Sequence, residues 1–207
     1  MTALVRRFRG DRHGATAAEF ALILPIALLF LLGLIDVGRY GWAYNQAEKA
    51  TQIGARWAAA TDLIPSGLVS YSYAVSSGIP QGTVVPKSAF PGIQCTSSGG
   101  TVSCTCKTGG TCPAAIPGTA DQAAFDRLAN RMFQIWGGVG KDNIRIDYDW
   151  SGLGYSGDPT GPDVAPLITV SIQNKQFPLW FMLGNTVPLP TARYTITAED
   201  GQGTESN

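Results

Sequence analysis

Sixteen consecutive positions, Phe20 to Ile35, hold only apolar or small residues, and this run constrains the chain more than any other feature. Extended back over Ala15 to Ala18, it makes 21 positions. That is about 31 Å of α-helix at about 1.5 Å per residue, against a bilayer hydrocarbon core about 30 Å thick. Arg6, Arg7, Arg9 and Arg12 precede it against Asp11 alone, so residues 1–14 carry +3 and the remainder −3 in a chain whose formal charge is zero. The excess of arginine on one flank places the N-terminus in the cytoplasm and residues 36–207 outside. A cleaved secretory signal begins in the same way, but its apolar stretch is only about 7–15 residues long. Here the helical pattern also runs on past Asp36, with no proline until Pro65. The expectation is one helix from Ala15 to Ala60, about 65–70 Å long, its inner half in lipid and its outer half packed on the exported domain.

Composition removes several function classes. The basic residues cluster in the leader and not on a folded domain, which argues against nucleic-acid binding. His13 is the only histidine and it lies in that leader, so the rest of the chain cannot build a Ser-His or Cys-His nucleophile pair or a histidine-containing zinc site. Enzyme readings are left with carboxylates and lysine. No cofactor is expected.

Glu19 sharpens the reading of the anchor. A carboxylate in an apolar helix costs about 2.5–3.5 kcal/mol at the bilayer centre, less near the edge, and such residues tend to be functional. Gly14 lies five residues before Glu19, the arginines lie before Gly14, and the apolar run begins at Phe20. The string Gly14-Ala15-Thr-Ala-Ala-Glu19-Phe20 resembles the processing site of type IV-like prepilins, where a membrane aspartyl peptidase cuts after the glycine and the glutamate becomes the fifth mature residue.

Taken further, Gly14 to Arg56 resembles the TadE-like family of tight-adherence (Flp-type) pilus assembly. The matching features are Ala-Ala-Glu19-Phe20-Ala, Leu24-Pro25, Leu-Leu-Gly33, Asp36-Val-Gly38-Arg39-Tyr40 and the stretch from Gln46 through Gly54-Ala55-Arg56-Trp57. The resemblance implies a pilin-like α+β fold and a non-enzymatic minor pilin or pseudopilin, processed after Gly14 by a prepilin peptidase. It also implies residence in the bacterial inner membrane or the pilus, with other pilins and the Tad assembly platform as partners. Cleavage would leave Ala15 with a free α-amine able to pair with Glu19 of a neighbouring subunit. An unpaired Glu19 would penalise helices out of register, so the pair would set alignment. The alternative is an uncleaved bitopic protein with a ligand- or partner-binding periplasmic ectodomain.

Other positions on the helix have plainer expectations. Pro25 lacks an amide donor and leaves the Ala21 carbonyl free, which predicts a kink or local loosening. Asp36 and Arg39, spaced i and i+3, can pair at the outer interface for a few tenths of a kcal/mol. Tyr40, Trp42 and Tyr44 fit either an interfacial aromatic belt or a docking surface for the ectodomain. Gly33, Gly38, Gly41 and Gly54 permit close helix approach.

The chain therefore divides into a basic cytoplasmic leader (1–14), a transmembrane helix with its extension (15–60), a Gly/Pro/Ser/Thr-rich Cys-containing loop and hairpin region (61–120), and a helix with antiparallel strands (121–207). Between Pro65 and Ala120, 31 of 56 residues are Gly, Pro, Ser or Thr, and the only charges are Lys87 and Lys107. Short β-prone pieces are expected at Leu68–Val75 and Thr83–Val85. Cys95, Cys104, Cys106 and Cys112 lack a C-x2-C zinc knuckle and read as two disulfides in an oxidising compartment. A two-residue turn at Gly99-Gly100 would set Cys95 opposite Cys104. Gly109-Gly110 would close a short loop between Cys106 and Cys112. Both bonds would staple a loop with too little apolar content to order itself.

Beyond Ala120, Phe125, Leu128, Met132 and Ile135 recur at helical spacing over Asp121–Trp136. Ile144, Ile146, Tyr148 and Trp150 alternate with charges as a half-buried strand, Ile168–Ile172 makes a second, and Arg193–Ala198 makes a third, marked as an edge by Pro188 and Pro190. Asp147 and Asp149 share one strand face. They invite comparison with a glycosidase carboxylate pair or a cation site, but interleave so regularly with apolar residues that a solvent face is the expected role. The uncharged run Phe177–Leu183 reads as core, with a subunit or membrane-surface contact as the alternatives.

Overall fold

The computed structural model describes residues 13–118, 120–159, 161–181 and 185–198. The arginines of the leader, the side chain of Ala15, and Met182 and Leu183 lie outside the described residues. Helix α1 runs His13–Ala60 and continues unbroken through Pro25. Single-turn helices α2 (Gly67–Ser70) and α3 (Tyr73–Ser76) follow, then strands β1 (Gly92–Ser98) and β2 (Thr101–Cys106), helix α4 (Gln122–Ile135), β3 (Ile144–Asp149), β4 (Leu167–Ile172), β5 (Gln176–Pro178), β6 (Thr186–Pro188) and β7 (Ala192–Thr197). The fold class is α+β, with a long apolar N-terminal helix and an antiparallel sheet. The chain forms two compact units, Met1–Gly41 with Phe177–Val187, and Trp42–Gln176 with Pro188–Asn207.

The larger unit is built on a five-stranded antiparallel sheet of order β2-β1-β3-β4-β7. Strand alternation aligns its buried face in rows. One row runs Cys104, Cys95, Ile146, Val170, Tyr194, and the next runs Cys106, Ile93, Tyr148, Ile168, Ile196. Helix α4 starts where the Asp121 carboxylate accepts the Ala124 amide at 3.0 Å, an N-cap that satisfies one of the free donors of the first turn. It buries Phe125, Leu128, Ala129 and Met132, while Ile135 stays half-buried.

The outer half of α1 contributes a stripe of small buried residues: Ala43, Ala47, Ala50, Thr51, Gly54, Ala55, Ala58 and Ala59. Spacings of three and four put them on one helix face. A Cβ built on Gly54 would sit 2.9 Å from Cγ and Sδ of Met132 and 3.4 Å from Val170. The absent side chain at Gly54 is therefore the space that Met132 occupies.

Two expectations for the loop region are corrected. Leu68–Val75 is not strand-like: Ser72 caps α3 by accepting the Val75 amide, and the Tyr73 amide donates to Asp163 at 2.6 Å, which winds the segment into single turns. Thr83–Val85 forms no strand. The Cys-containing hairpin joins the main sheet, because β1 pairs with β3 and brings in β2 as the edge.

The hairpin turn is Gly99-Gly100, with φ of 58° and 83°, the left-handed region that favours glycine at both central positions of a tight turn. Disulfides join Cys95 to Cys104 across that pair of strands, with Cα atoms 4.1 Å apart, and Cys106 to Cys112 at 5.9 Å.

Candidate functional site

The inner half of α1 presents large apolar side chains outward. Phe20, Leu22, Ile23, Ile26, Leu29 and Phe30 are each more than 60% exposed. At about 100° of rotation per residue, these six positions span half the circumference, and Ala21, Leu24, Pro25, Leu28 and Leu31, also exposed, complete it, so no face is reserved for the chain's own core. This is the one described helix long and apolar enough to cross a membrane. Gly14, Glu19 and Phe20 lie in its first two turns, all exposed. A Cβ added at Gly14, Gly33, Gly38 or Gly41 would meet nothing within 4 Å. Among the described residues, no packing calls for glycine at 14, in contrast to Gly54.

At the outer end of the apolar run, the structure assembles a site that the sequence showed only in part. Asp36 and Arg39 do pair, at 2.9 Å, but Asp36 is fully buried rather than at an open interface. Its two carboxylate oxygens accept the backbone amides of Trp180 and Phe181, at 3.1 and 2.9 Å. Hydrogen bonds to a charged acceptor are worth about 1.5–3 kcal/mol, several times the expected surface pair. The Arg39 guanidinium stacks 3.4 Å from the Trp180 ring centroid and lies 5.1 Å from that of Phe177, a cation over an aromatic face. Tyr40 meets Phe177 edge to face at 5.7 Å. Among the described residues of the run Phe177–Leu183, only Phe177 is core, and Trp180 is 67% exposed. Trp42 is also exposed. Sequence spacing found Asp36 and Arg39. It could not find their partners, because backbone amides 144 and 145 residues away leave no mark in side-chain pattern.

The ionisable groups of the larger unit form local pairs. Asp147 is buried, not solvent-facing as expected, because Lys107 and Arg145 both close on its Oδ1 at 2.8 Å. Lys107 also reaches Asp149 at 2.7 Å, so one ammonium bridges the two carboxylates. The hydrogen bonds to Asp147 push the Arg145 guanidinium above its ordinary range. The Lys141 ammonium, hydrogen-bonded to Asp126, holds that carboxyl below its usual range. Burial pushes the Tyr148 phenol up, and its oxygen accepts the Ile64 amide at 3.2 Å. Asp142 accepts the Ser97 hydroxyl and the amides of Gly100 and Gly99, which keep its carboxyl below the usual range. Among the described residues, no group of three His, Cys, Asp or Glu side chains is placed to hold a metal ion.

Residues 14–56 match the family model described as TadE-like protein. This segment is TadE-like. The matched segment contains Gly14, Glu19, Phe20, Pro25, Asp36, Arg39 and Gly54. It ends before the disulfide hairpin and the sheet. No curated protein and no solved structure matches the chain. Within the TadE-like segment the two halves of α1 differ in what surrounds them, and Asp36 marks the change.

Proposed function

We propose that this chain is a non-enzymatic minor pilin or pseudopilin of a tight-adherence pilus, cut after Gly14 by a prepilin peptidase and held in the inner membrane by α1. The observation that carries this reading is the start of the TadE-like segment, where an exposed Gly14 with no packing role is followed five residues later by an exposed Glu19. A helix apolar around its whole circumference follows directly. A glycine with open space around it suits a peptidase that must close on the backbone. Removing residues 1–14 takes away a net +3 and frees the Ala15 amine.

In a bundle of such helices, opposite charges attract far more strongly than in water. Ala15 of one copy and Glu19 of the next then fix the register, while the apolar sleeve supplies the contact area. Pro25, with no amide to donate, leaves the helix ladder one bond short within the span.

Co-expression with the cognate peptidase, followed by intact-mass measurement, tests the reading. The expected product begins at Ala15. Gly14→Leu and Glu19→Ala should return the uncut mass if recognition follows the prepilin pattern. A functional pilus system whose mature protein retains Met1 would remove the mechanism.

A further inference from the structure

We propose that the β5–β6 hairpin makes a second membrane contact through Trp180 and Phe181 at its tip, these two residues lying in the interfacial layer of the bilayer that α1 crosses. The inference rests on α1 being a membrane anchor and adds a site beyond it.

Position is the first argument. Asp36 immediately follows the last residue of the apolar run, and its carboxylate holds the amides of Trp180 and Phe181. Trp180 and Phe181 are thereby fixed at the level where the helix leaves the hydrocarbon. The helix surface there is apolar and open, with Leu34 52%, Ile35 48% and Val37 67% exposed.

Backbone chemistry is the second argument. A segment can leave water only if its amides are satisfied internally. At this tip the Leu179 amide donates to the Asn185 carbonyl at 3.0 Å, and the next two amides go to Asp36. The carboxylate is the acceptor that lets the amides of Trp180 and Phe181 leave water.

Side chains supply the third argument. Residues 176–192 carry no charge. Trp180 and Phe181 point out, 67% and 39% exposed, although Phe177 is buried beside them. An exposed indole with a guanidinium on its face is suited to the headgroup layer, where amphipathic rings and arginine both collect. A second copy of the chain is the competing occupant. Two aromatic side chains offer at most about 300–500 Å² between them, well below the ~1,200 Å² of a stable protein interface. Lipid needs no such area, because the adjoining sleeve is already immersed.

The test uses the full chain reconstituted in phosphatidylcholine and phosphatidylglycerol vesicles whose acyl chains are brominated near the headgroup. Flotation reports whether α1 inserts, and tryptophan emission reports on the tip. Trp180→Phe isolates the Trp180 contribution by difference, and Asp36→Ala frees the hairpin without removing the indole. The expected result is a chain that floats, with a blue-shifted Trp180 component that bromine quenches equally at high and low protein-to-lipid ratio and that loses its quenching in Asp36→Ala. A floating chain whose Trp180 emits as in water overturns the inference and leaves the anchor intact. So does a Trp180 component that is blue-shifted but unquenched and moves to the red on dilution with lipid, which would assign the tip to a second copy. A chain that does not float overturns the anchor reading and this one with it.

Discussion

The two halves of α1 are continuous in backbone and opposite in side-chain logic. The inner half carries Phe, Leu and Ile on every side and leaves them exposed; the outer half carries Ala, Gly and Thr on one face and buries them. Large apolar residues around a full circumference make sense only if something outside the chain covers them. A narrow stripe of small residues makes sense only against a fixed neighbour, and Met132 at Gly54 is that neighbour. The difference teaches that a single helix can answer to two environments, and that the answer is written in residue size as much as in hydrophobicity.

The largest effect is expected at the point where the two regimes meet. Asp36→Ala removes the acceptor of two amides and the partner of Arg39, so hairpin opening should become easier by about 1.5–3 kcal/mol. Hydrogen exchange at the amides of Trp180 and Phe181 measures it. Protection retained there in the variant would show that Asp36 does not hold the tip.

Next comes a matched pair of substitutions in the two halves. Gly54→Leu forces a side chain into the space of Met132 and should destabilise the larger unit by about 1–3 kcal/mol. Gly38→Leu, where an added Cβ meets nothing within 4 Å, should cost nothing and can return up to about 1 kcal/mol of helix propensity. Urea unfolding in detergent compares them, and equal effects at the two glycines would erase the contrast. Gly54→Ala is the milder form, because helix propensity returns up to about 1 kcal/mol and the flexible Met132 tip can shift.

The smallest effect sits far from the helix and serves as a reference for it. The native Asp142 carboxyl is depressed by Ser97, Gly100 and Gly99, so its contribution is present above the unfolded carboxylate range and is lost as pH falls through the lower native value. Acidification should therefore lower the protection factors of the Gly99 and Gly100 amides, each taken against the intrinsic exchange rate at that pH, while those of the α1 stripe hold. In Asp142→Asn that acid dependence should vanish, as NMR-detected exchange would show.

Some of this was readable from residues alone, for physical reasons that differ by region. The run Phe20–Ile35 is legible because composition alone marks a helix long and apolar enough to cross a membrane. Helix α4 and strands β3, β4 and β7 are legible because a half-buried element repeats with its own period. The Gly99-Gly100 turn marks its hairpin because both positions need positive φ. What escaped depends on distant partners. Tyr73 belongs to a helical turn because Asp163 takes its amide, and Asp147 is covered because β1 carries β2 and Lys107 to its side of the sheet. The candidate site divides in the same way. Glu19 stands out as a charge where none belongs, whereas the importance of Asp36 comes from amides late in the chain.

The notch at Gly54 also bears on chemical ageing. Peroxide turns an accessible methionine into its sulfoxide, but the Met132 thioether is wholly buried against a residue that offers a hydrogen in place of a methyl. No oxygen can be added there while the fold is shut. Its oxidation would proceed only through opened molecules, which makes that sulfur a clock for how often the larger unit breathes.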